Sequence, residues 1–471
     1  MIDLATLTIE KAHASMQAGE FTARELVEAY LARIKEKNDT INAYLEVYDD
    51  VLSQADAADQ RFKDGTATLL TGIPIALKDN ILVSGKRVSC ASKILDGYVG
   101  TYTATVVTKL LSEGAVLLGR TNMDEFAMGS STETSAFGVT KNPHDLSRVA
   151  GGSSGGAVAA VAMGGALAAL GSDTGGSVRQ PASFCGVVGM KPTYGAISRS
   201  GLIAMGSSLD QIGPITKTVR DAEILFSALS FHDPMDSTSL PDDMRTVAHT
   251  ETRKIGVPRD IMSGEGMDAA VFANFKLSLA KLEKAGYVVV PVDLPLMQYS
   301  LAVYYVLMPA ETSTNLARFD GIRFGYSVPG KTPDEAFAKT RGQGFGKEVR
   351  RRIMLGAYVL SHGYYDAYYN KAIAVRRMIE KEFATVFETV DAIATPTSPF
   401  PAFKIGEKAS DPLAMYLSDI FTVPANIAGI PAISIPAGKT NDGLPLDFQL
   451  MTAHACEHTL FKIASLFESL T

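Results

Sequence analysis

The chain has 471 residues, a net charge of −7 and an isoelectric point of about 5.6. Hydrophobic residues make up 46% and charged residues 20%, which excludes a disordered or fibrous protein. The negative charge disfavours extensive direct binding to nucleic acid or anionic lipid, because both need a positive field.

The apolar stretches of the sequence argue against export and membrane insertion. The first 18 residues lack the basic and apolar regions of a signal peptide. Residues 157–170 are uncharged and apolar but shorter than the roughly 20 residues that a bilayer crossing needs. They predict a buried helix. The three cysteines are far apart in sequence, which is typical of reduced thiols. We therefore expect a cytoplasmic protein without membrane contact.

Apolar spacing predicts helices and strands that alternate along the chain. In chain order the predicted elements are a helix over 23–35, a strand over 72–77, a helix over 104–113, a strand over 115–119, the buried helix over 157–170, a strand over 254–257, a helix over 270–285, a strand over 287–291, a mainly helical region over 342–383, and strands over 392–396 and 432–436. No repeat or low-complexity linker divides them. We predict one α/β domain over residues 1–471, with a large, mixed, mostly parallel sheet covered by helices on both sides.

A first glycine-rich loop is a candidate for a nucleophile. Residues 151–156 read Gly-Gly-Ser-Ser-Gly-Gly and match the G-x-S-x-G elbow twice, on Ser153 and on Ser154. An isolated match is more typical of an ordinary turn. An α/β-hydrolase would also need a downstream acid and histidine, and none of the downstream histidines has a recognisable setting.

A second loop, residues 171–181, follows 24 residues later when counted from Ser153 to Ser177. Consecutive glycines before Ser177 leave backbone N–H groups uncovered by side chains. Such groups can bind the oxyanion that forms when the serine attacks a carbonyl carbon. The alternative is a second tight turn, although turn chemistry alone explains two such loops poorly.

Lys78 closes the predicted apolar strand at 72–77. A lysine at a strand end is usually solvated. Burial, however, can lower a lysine pKa from about 10.4 to near 7, at a cost of roughly 4.6 kcal/mol. A buried Lys78 would then serve as a general base without any histidine.

Together, Lys78 and the two loops resemble the amidase signature family, whose members use a Ser-cisSer-Lys triad. The resemblance implies that Ser177 is the nucleophile, that Ser153 is the bridging serine in a cis peptide, and that Lys78 is the terminal base. It implies an oxyanion site on the backbone of four consecutive residues, Thr174, Gly175, Gly176 and Ser177.

Three further segments, 121–131, 344–353 and 361–369, resemble the A subunits of tRNA-dependent aspartyl/glutamyl amidotransferases. This resemblance implies a glutaminase that delivers ammonia to a B subunit, within a heterotrimer that a small C subunit holds together. It implies no cofactor or metal on this chain, because ATP and Mg²⁺ belong to the partner. Misacylated tRNA, whether Glu-tRNA(Gln), Asp-tRNA(Asn) or both, would bind mainly to the B subunit.

Free glutamine is a zwitterion, so its site needs an arginine for the carboxylate and an acid for the ammonium group. The resemblance assigns these roles to Arg352 and Asp419, with Tyr304 as a wall of the pocket. The run 350–352 is Arg-Arg-Arg, so the assignment could shift by one, and a solvated helix face is the alternative. Within the amidase signature domain we expect three parts, namely an N-terminal helical segment over about 1–60, a core with the serine loops over about 70–215, and a substrate pocket with a helical insertion over about 300–385.

Two other functions stay open. A stand-alone amidase acting on another carboxamide would carry the same triad. An ATP-binding or catalytically idle assembly subunit is suggested by residues 325–332, which match the Walker A pattern. No strand is predicted before that match, and Thr332 with Glu335 instead predicts the start of a helix.

Three positions differ from the residues usual in the family that the chain resembles, and one pair of histidines has the spacing of a zinc site. Ala150, Ala157 and Asp447 depart from the residues usual there, which leaves the packing near the first loop and the last strand open. His454 and His458 have zinc-ligand spacing on a predicted helix, but no further ligand cluster accompanies them.

Overall fold

The computed structural model describes residues 2–247, 249–409 and 411–471. The helices in these ranges are α1 Ile9–Gln17, α2 Ala23–Ile41, α3 Val51–Lys63, α4 Thr105–Ser112, α5 Gly155–Ala162, α6 Arg179–Cys185, α7 Val219–Leu229, α8 Ala269–Lys284, α9 Ser300–Asn315, α10 Pro333–Gly344, α11 Lys347–Val359, α12 Lys371–Val386, α13 Pro412–Tyr416, α14 Val423–Ile427 and α15 Glu457–Glu468. The strands are β1 Tyr44–Val47, β2 Pro74–Lys78, β3 Val116–Thr121, β4 Lys141–Asn142, β5 Asp145–Val149, β6 Ala168–Asp173, β7 Val188–Lys191, β8 Gln211–Thr216, β9 Lys254–Pro258, β10 Val288–Val292, β11 Ala392–Pro396, β12 Ala432–Lys439 and β13 Pro445–Met451.

Within the described ranges, eleven strands form one sheet in the order β1-β3-β2-β6-β8-β7-β12-β13-β11-β9-β10. Neighbouring strands are parallel in β3-β2-β6 and in β11-β9-β10. From β6 to β11 they are antiparallel. The predicted α/β domain with one large mixed sheet is confirmed. Parallel pairs are fewer than predicted, because four of the ten neighbouring pairs are parallel and six are antiparallel, including the pair of edge strand β1 with β3.

Helices cover both faces of the sheet, as predicted. Successive residues of a strand point to opposite faces. On β11, Ala392 and Ala394 join a core cluster that includes Phe275 of α8 and Phe467 of α15. Ile393, between them, joins a different cluster built largely from α9, α11 and α12. Two separate apolar layers therefore bury the strand.

The apolar run at 157–170 differs from the single helix that the sequence predicts. Helix α5 ends at Ala162, and β6 begins at Ala168. Gly164 between them has a φ of +73°, in the left-handed region that favours glycine, so the chain leaves the helix there. The last three residues of the run, 168–170, thus belong to a fully buried strand rather than to a helix.

The carboxyl ends of β2, β3 and β6 lie at one edge of the sheet because these strands are parallel neighbours. Lys78 is the last residue of β2, and Asp173 is the last residue of β6. The two serine loops lie at this same edge. One leads into α5, and the other leaves the end of β6.

The Walker-like segment lies in a different setting from a phosphate-binding loop. Among the described residues, no strand precedes it between α9 and α10. The Thr332 side chain accepts a hydrogen bond from the Glu335 N–H at 3.2 Å and caps α10. The predicted helix start at Thr332 is confirmed.

The two histidines with zinc-ligand spacing do not share a helix. Helix α15 begins at Glu457, so His454 lies in the turn before it and the predicted common helix is wrong. Ala455 has a φ of +59°, which is incompatible with a helix at this point. Over the ranges that the structure describes, no group of three or more His, Cys, Asp or Glu side chains is arranged to hold a metal ion.

In the same ranges, no helix combines the length and apolar character that a bilayer crossing requires.

Asp447, one of the unusual positions, is a buried carboxyl on β13. Its Oδ2 accepts a hydrogen bond from Ser434 Oγ at 2.8 Å, while its Oδ1 is buried without a partner among the described residues. Burial raises the pKa of Asp447 well above its usual range. The folded protein therefore holds the proton at a pH where the unfolded chain has released it.

We expect Asp447→Asn to stabilise the protein at alkaline pH. Above about pH 4 the wild type loses up to about 1.4 kcal/mol of unfolding free energy per pH unit, until the folded-state pKa is reached. Asparagine is neutral throughout, so the variant should have a higher Tm than the wild type at about pH 8 and a similar Tm at about pH 4. Thermal unfolding across this range measures the difference, with the exposed Asp442→Asn as a control that lacks this effect. The same pH dependence in wild type and Asp447→Asn would contradict the expectation.

Candidate active site

Lys78 is fully buried at the end of β2, with 0% exposure. Its Nζ lies 2.7 Å from Ser153 Oγ, 3.1 Å from the Ser172 carbonyl oxygen and 2.9 Å from Ser172 Oγ. Burial lowers the pKa of Lys78 to about 7, against the opposing charges of Asp124 and other carboxylates. The amine can therefore be neutral near neutral pH, as a general base must be.

The first serine loop brings Ser153 to this lysine. The Gly152–Ser153 peptide bond is cis, as the resemblance implies. The Asp124 N–H donates to the Ser153 carbonyl oxygen at 3.2 Å, and the Gly152 N–H donates to Gln180 Oε1 at 3.0 Å. A Cβ at position 152 would lie only 1.9 Å from Asp124 Oδ2. Only glycine fits there, because the Asp124 carboxylate occupies the space.

Ser177 lies in the second loop, between β6 and α6, and is 8% exposed. The N–H of Ser154 donates to the Ser177 carbonyl oxygen at 3.1 Å, which joins the two loops directly. Ser177 Oγ makes no hydrogen bond to any described residue. The structure thus brings Lys78 and Ser153 into contact and holds the Ser177 loop against theirs, with the Ser177 hydroxyl unengaged.

The backbone of the second loop differs in one respect from the predicted oxyanion site. The Gly176 N–H donates to Asp173 Oδ1 at 2.8 Å, so this N–H group is already hydrogen-bonded within the protein and its oxyanion role stays a prediction. The cause is the Asp173 carboxylate, which sits just before the loop. The N–H groups of Thr174, Gly175 and Ser177 make no hydrogen bond within the described ranges. They remain the candidate donors.

A buried ion pair lies next to the loop that carries Ser177. Arg179 donates to both Asp173 oxygens, through Nε and Nη2, at 3.0 Å each. It also donates to Asn426 Oδ1, Gln449 Oε1 and the Thr422 carbonyl oxygen. Burial alone would raise the pKa of Asp173, but the Arg179 guanidinium lowers it to about 2. Because this arginine reaches acceptors on several elements, the pair fixes the loop to the strands behind it.

Of the three consecutive arginines, the structure singles out Arg352. Arg350 and Arg351 are exposed, whereas Arg352 is only 4% exposed. Its Nε donates to Glu348 Oε1 at 2.8 Å, one turn earlier on α11. The helix therefore turns one of the three guanidinium groups inward, and the solvated-face alternative holds only for the other two.

Two tyrosines flank the Arg352 guanidinium. Its centre lies 5.6 Å from the ring centroid of Tyr305 and 5.6 Å from that of Tyr416. The two rings stack on each other with centroids 4.0 Å apart. The Tyr416 hydroxyl donates to Glu348 Oε1 at 2.9 Å. Aromatic faces attract cations, so this setting keeps the guanidinium charged and limits its movement.

Asp419 and Tyr304 both lie beside the loop that carries Ser177. Ser130 Oγ donates to Asp419 Oδ2 at 2.6 Å, and burial raises the pKa of Asp419 to about 7. Thr422 Oγ1 bridges the carbonyl oxygens of Asp419 and Gly175 at 3.1 and 2.7 Å. A Cβ at Gly175 would lie 2.8 Å from Cζ of Tyr304, so the phenol ring packs directly on the glycine. A small ligand held here would sit next to Ser177.

Several residues of this site were not predicted as functional. Ser172 lies on the strand parallel to β2, one residue beyond the position level with Lys78, because Leu77 pairs with Leu170. Finding it from sequence would have required this register. Glu348 could have been found, because it lies four residues before Arg352 on the same helix, where opposite charges pair. Tyr305 and Tyr416 carried no sequence signal, since they are distant in the chain and belong to other helices.

Comparison with known proteins gives consistent relationships over nearly the whole chain. A family model described as amidase matches residues 25–461. The chain is 51% identical to the A subunit of glutamyl-tRNA(Gln) amidotransferase from Thermoanaerobacter pseudethanolicus, over 99% of this chain and 97% of that protein. It is 52% identical to the protein of the same name from Moorella thermoacetica, over 100% of this chain and 98% of that protein.

Solved structures agree with these relatives. The A subunit of glutamyl-tRNA(Gln) amidotransferase from Thermotoga maritima superposes with a TM-score of 0.80 at 44% identity, over 99% of this chain and 94% of that one. A peptide amidase superposes with a TM-score of 0.83 at 28% identity, over 99% and 97% of the two chains. With the family match and the identities above, these similarities show that the chain is an amidase-type enzyme of the amidase signature family.

Proposed function

We propose that the chain is the glutamine-hydrolysing A subunit of a tRNA-dependent amidotransferase. The observation that carries the hydrolytic part is the 2.7 Å contact between the buried Lys78 Nζ and Ser153 Oγ, beside the loop that bears Ser177. The names of the full-length relatives support the choice of reaction.

The proposed reaction begins when Ser177 Oγ bonds to the side-chain amide carbon of glutamine. Its proton moves to Ser153 Oγ as the Ser153 proton moves to Lys78 Nζ. The resulting oxyanion accepts hydrogen bonds from the loop N–H groups of Thr174, Gly175 and Ser177. The carbon–nitrogen bond then breaks, and the nitrogen takes the proton back from Lys78 through Ser153 and leaves as ammonia.

The second half of the proposed reaction releases glutamate from the ester on Ser177. Water attacks the ester carbon and gives a proton through Ser153 to Lys78. The ester bond then breaks, and the same route returns a proton to Ser177 Oγ. Lys78 thus alternates between amine and ammonium in both halves, which requires a pKa near the working pH.

Arg352 and Asp419 carry opposite charges, which suits a zwitterionic amino acid. In this proposal Arg352 binds the α-carboxylate, Asp419 binds the α-ammonium group, and Tyr304 forms the wall beside Gly175. The Arg352 charge acts on both Asp419 and Tyr304, which supports their closeness. A bound ammonium group would keep Asp419 ionised, although burial raises its pKa to about 7.

Ammonia released into water would be protonated and lost, so the subunit makes physical sense against a partner that seals its path. We propose a cytoplasmic heterotrimer with B and C subunits. Misacylated tRNA, ATP and Mg²⁺ would bind mainly to the B subunit. The chain's net charge of −7 is consistent with this division, because it provides no positive field for tRNA.

Co-purification from the native host, followed by a glutaminase assay, tests this assignment. We expect two partner chains, and glutamine turnover that increases when misacylated tRNA and ATP are added. Assays with misacylated tRNA(Gln) and tRNA(Asn) determine which tRNA is served. A monomer whose glutamine turnover does not change with either addition would instead favour a stand-alone amidase. The 28% identical peptide amidase is an example of that function on the same fold.

Glu125 does not belong to the proposed glutamine site, but it contacts the residue just before the helix that carries Arg352. Both its carboxylate oxygens accept the Gly346 N–H, at 3.1 and 2.8 Å, just before the helix that carries Arg352. We expect Glu125→Ala to raise KM for glutamine about fivefold, because a lost hydrogen bond to the N-cap residue of α11 costs about 1 kcal/mol and loosens the start of that helix. Steady-state kinetics measure this, with Glu335→Ala at the start of α10 as the control. An equal effect of both variants would contradict a specific role for Glu125.

A further inference from the structure

Ser172 has contacts that the triad alone does not explain. It precedes Asp173 on β6, and its hydroxyl and its carbonyl oxygen both lie within hydrogen-bond distance of Lys78 Nζ, at 2.9 and 3.1 Å. With Ser153 Oγ at 2.7 Å, Nζ has three oxygen neighbours. Both serine side chains are buried, so water cannot easily replace any of these contacts.

The number of oxygens matches one protonation state of the lysine. An ammonium group has three N–H donors and no acceptor. Three oxygens therefore satisfy the charged form completely. A neutral amine has two donors and one lone pair. The Ser172 carbonyl oxygen takes one donor and Ser172 Oγ can take the other, which leaves the lone pair for the Ser153 proton. Ser172 thus fits the lysine both before and after proton transfer.

Asn80 holds the Ser172 hydroxyl in place from the other side. Its Nδ2 donates to Ser172 Oγ at 2.9 Å, and the asparagine is buried two residues after Lys78. Its Oδ1 is buried without a hydrogen bond among the described residues. A buried amide whose side chain contacts Ser172 in this way restricts the rotation of that hydroxyl.

We propose that Ser172, fixed by Asn80, is a positioning residue that completes the hydrogen-bond shell of the ammonium form of Lys78. This inference rests on the proposed role of Lys78 as the base. Other groups act on the same amine from neighbouring elements, namely Asp124, Asp173, Asp210 and Cys90. They stay in place when Ser172 is changed, so its contribution can be separated from theirs.

The pH profile of glutaminase activity in the assembled amidotransferase tests the proposal. Activity rises with pH as Lys78 loses its proton. Ser172→Ala removes an acceptor that favours the charged form, so the acid limb of kcat should move to lower pH by about one unit when it is measured at saturating glutamine, where the bound ammonium group keeps Asp419 ionised. The plateau rate should fall about tenfold, because the amine is then a weaker base. A role in folding alone would lower the rate without moving the limb.

Two variants serve as controls. Ser172→Thr keeps a hydroxyl and should restore the wild-type limb. Ser154→Ala removes a hydroxyl that contacts the backbone of Ser172, at 3.2 and 3.3 Å, and does not contact Lys78. It also frees the Ser172 carbonyl oxygen from a second donor and keeps Ser172 Oγ in place, so its limb should not move to lower pH, whatever happens to the rate.

The outcomes separate this inference from the proposed function. If Lys78→Ala retains glutaminase activity, the proposed triad fails and this inference fails with it. If Lys78→Ala is inactive but the limb of Ser172→Ala matches the wild type, only the role of Ser172 is overturned. Should Ser172→Ala not fold, Asn80→Ala is measured instead. A shift of its limb in the same direction supports the proposal, and an unmoved limb overturns it.

Discussion

Ser177→Ala should abolish glutamine hydrolysis, and Lys78→Ala should reduce it about 10⁴-fold or more, as expected when a unit of interdependent catalytic groups is broken. The physical reason for the lysine is its environment. It is fully buried, its pKa lies near 7, and it contacts Ser153 at 2.7 Å. Glutamate release at saturating glutamine, measured on the assembled enzyme, gives the loss in kcat directly.

Lys191 provides a matched control for the lysine. It is also buried, and burial lowers its pKa to about 7, but its Nζ donates only to the Pro192 carbonyl oxygen among the described residues. Lys191→Met should therefore change stability and leave most of the turnover.

A variant without histidines should also keep activity. Loss of activity on replacing His232 or His362 alone would favour a histidine-based hydrolase instead.

Lys78 also determines how the rate of glutamine hydrolysis depends on pH. Activity requires the neutral amine, so it should be low at acidic pH and rise with a midpoint near pH 7, which is the pKa that burial produces for Lys78. Substantial turnover by Ser177→Ala at any pH would contradict the covalent mechanism.

Local patterns predicted the parts of the fold and site that local physics determines. Strand β2 was predictable because its apolar run ends at a single charged residue, Lys78. The helix predicted over 23–35 begins as expected at Ala23, where Thr22 and Glu25 form a capping box with both hydrogen bonds present. The two serine loops were found because glycine-rich turns are visible in sequence alone. In each case the residues that matter are neighbours in the chain.

Contacts between distant segments could not be predicted in this way. The sequence does not reveal that Asp173 uses the Gly176 N–H, because that depends on the turn after β6. It could not separate Arg352 from its two neighbours, since only the packing of α11 on α9 turns one of them inward. Apolar length alone could not divide residues 157–170 into a helix and a strand, and the left-handed Gly164 decided that division.

Arg352→Ala should reduce kcat/KM for glutamine about 100-fold and leave hydrolysis of a simple uncharged amide nearly unchanged. Loss of one charged hydrogen-bonded partner costs about 2–3 kcal/mol when its counterpart is buried, and about 1.4 kcal/mol corresponds to a factor of ten. An uncharged amide has no α-carboxylate, so it never gains that interaction. The ratio of the two kcat/KM values isolates recognition of the zwitterion from general damage to the site.

The neighbouring Arg351 supplies the control for this experiment. It also pairs with Glu348, but its side chain is exposed. Surface ion pairs contribute at most about 1 kcal/mol, so Arg351→Ala should change neither kcat/KM value appreciably. Arg352→Ala also leaves Glu348 without its buried partner, and that damage would lower both activities together. An equal loss on glutamine and on the uncharged amide would therefore assign Arg352 a structural role and leave the carboxylate without its proposed partner.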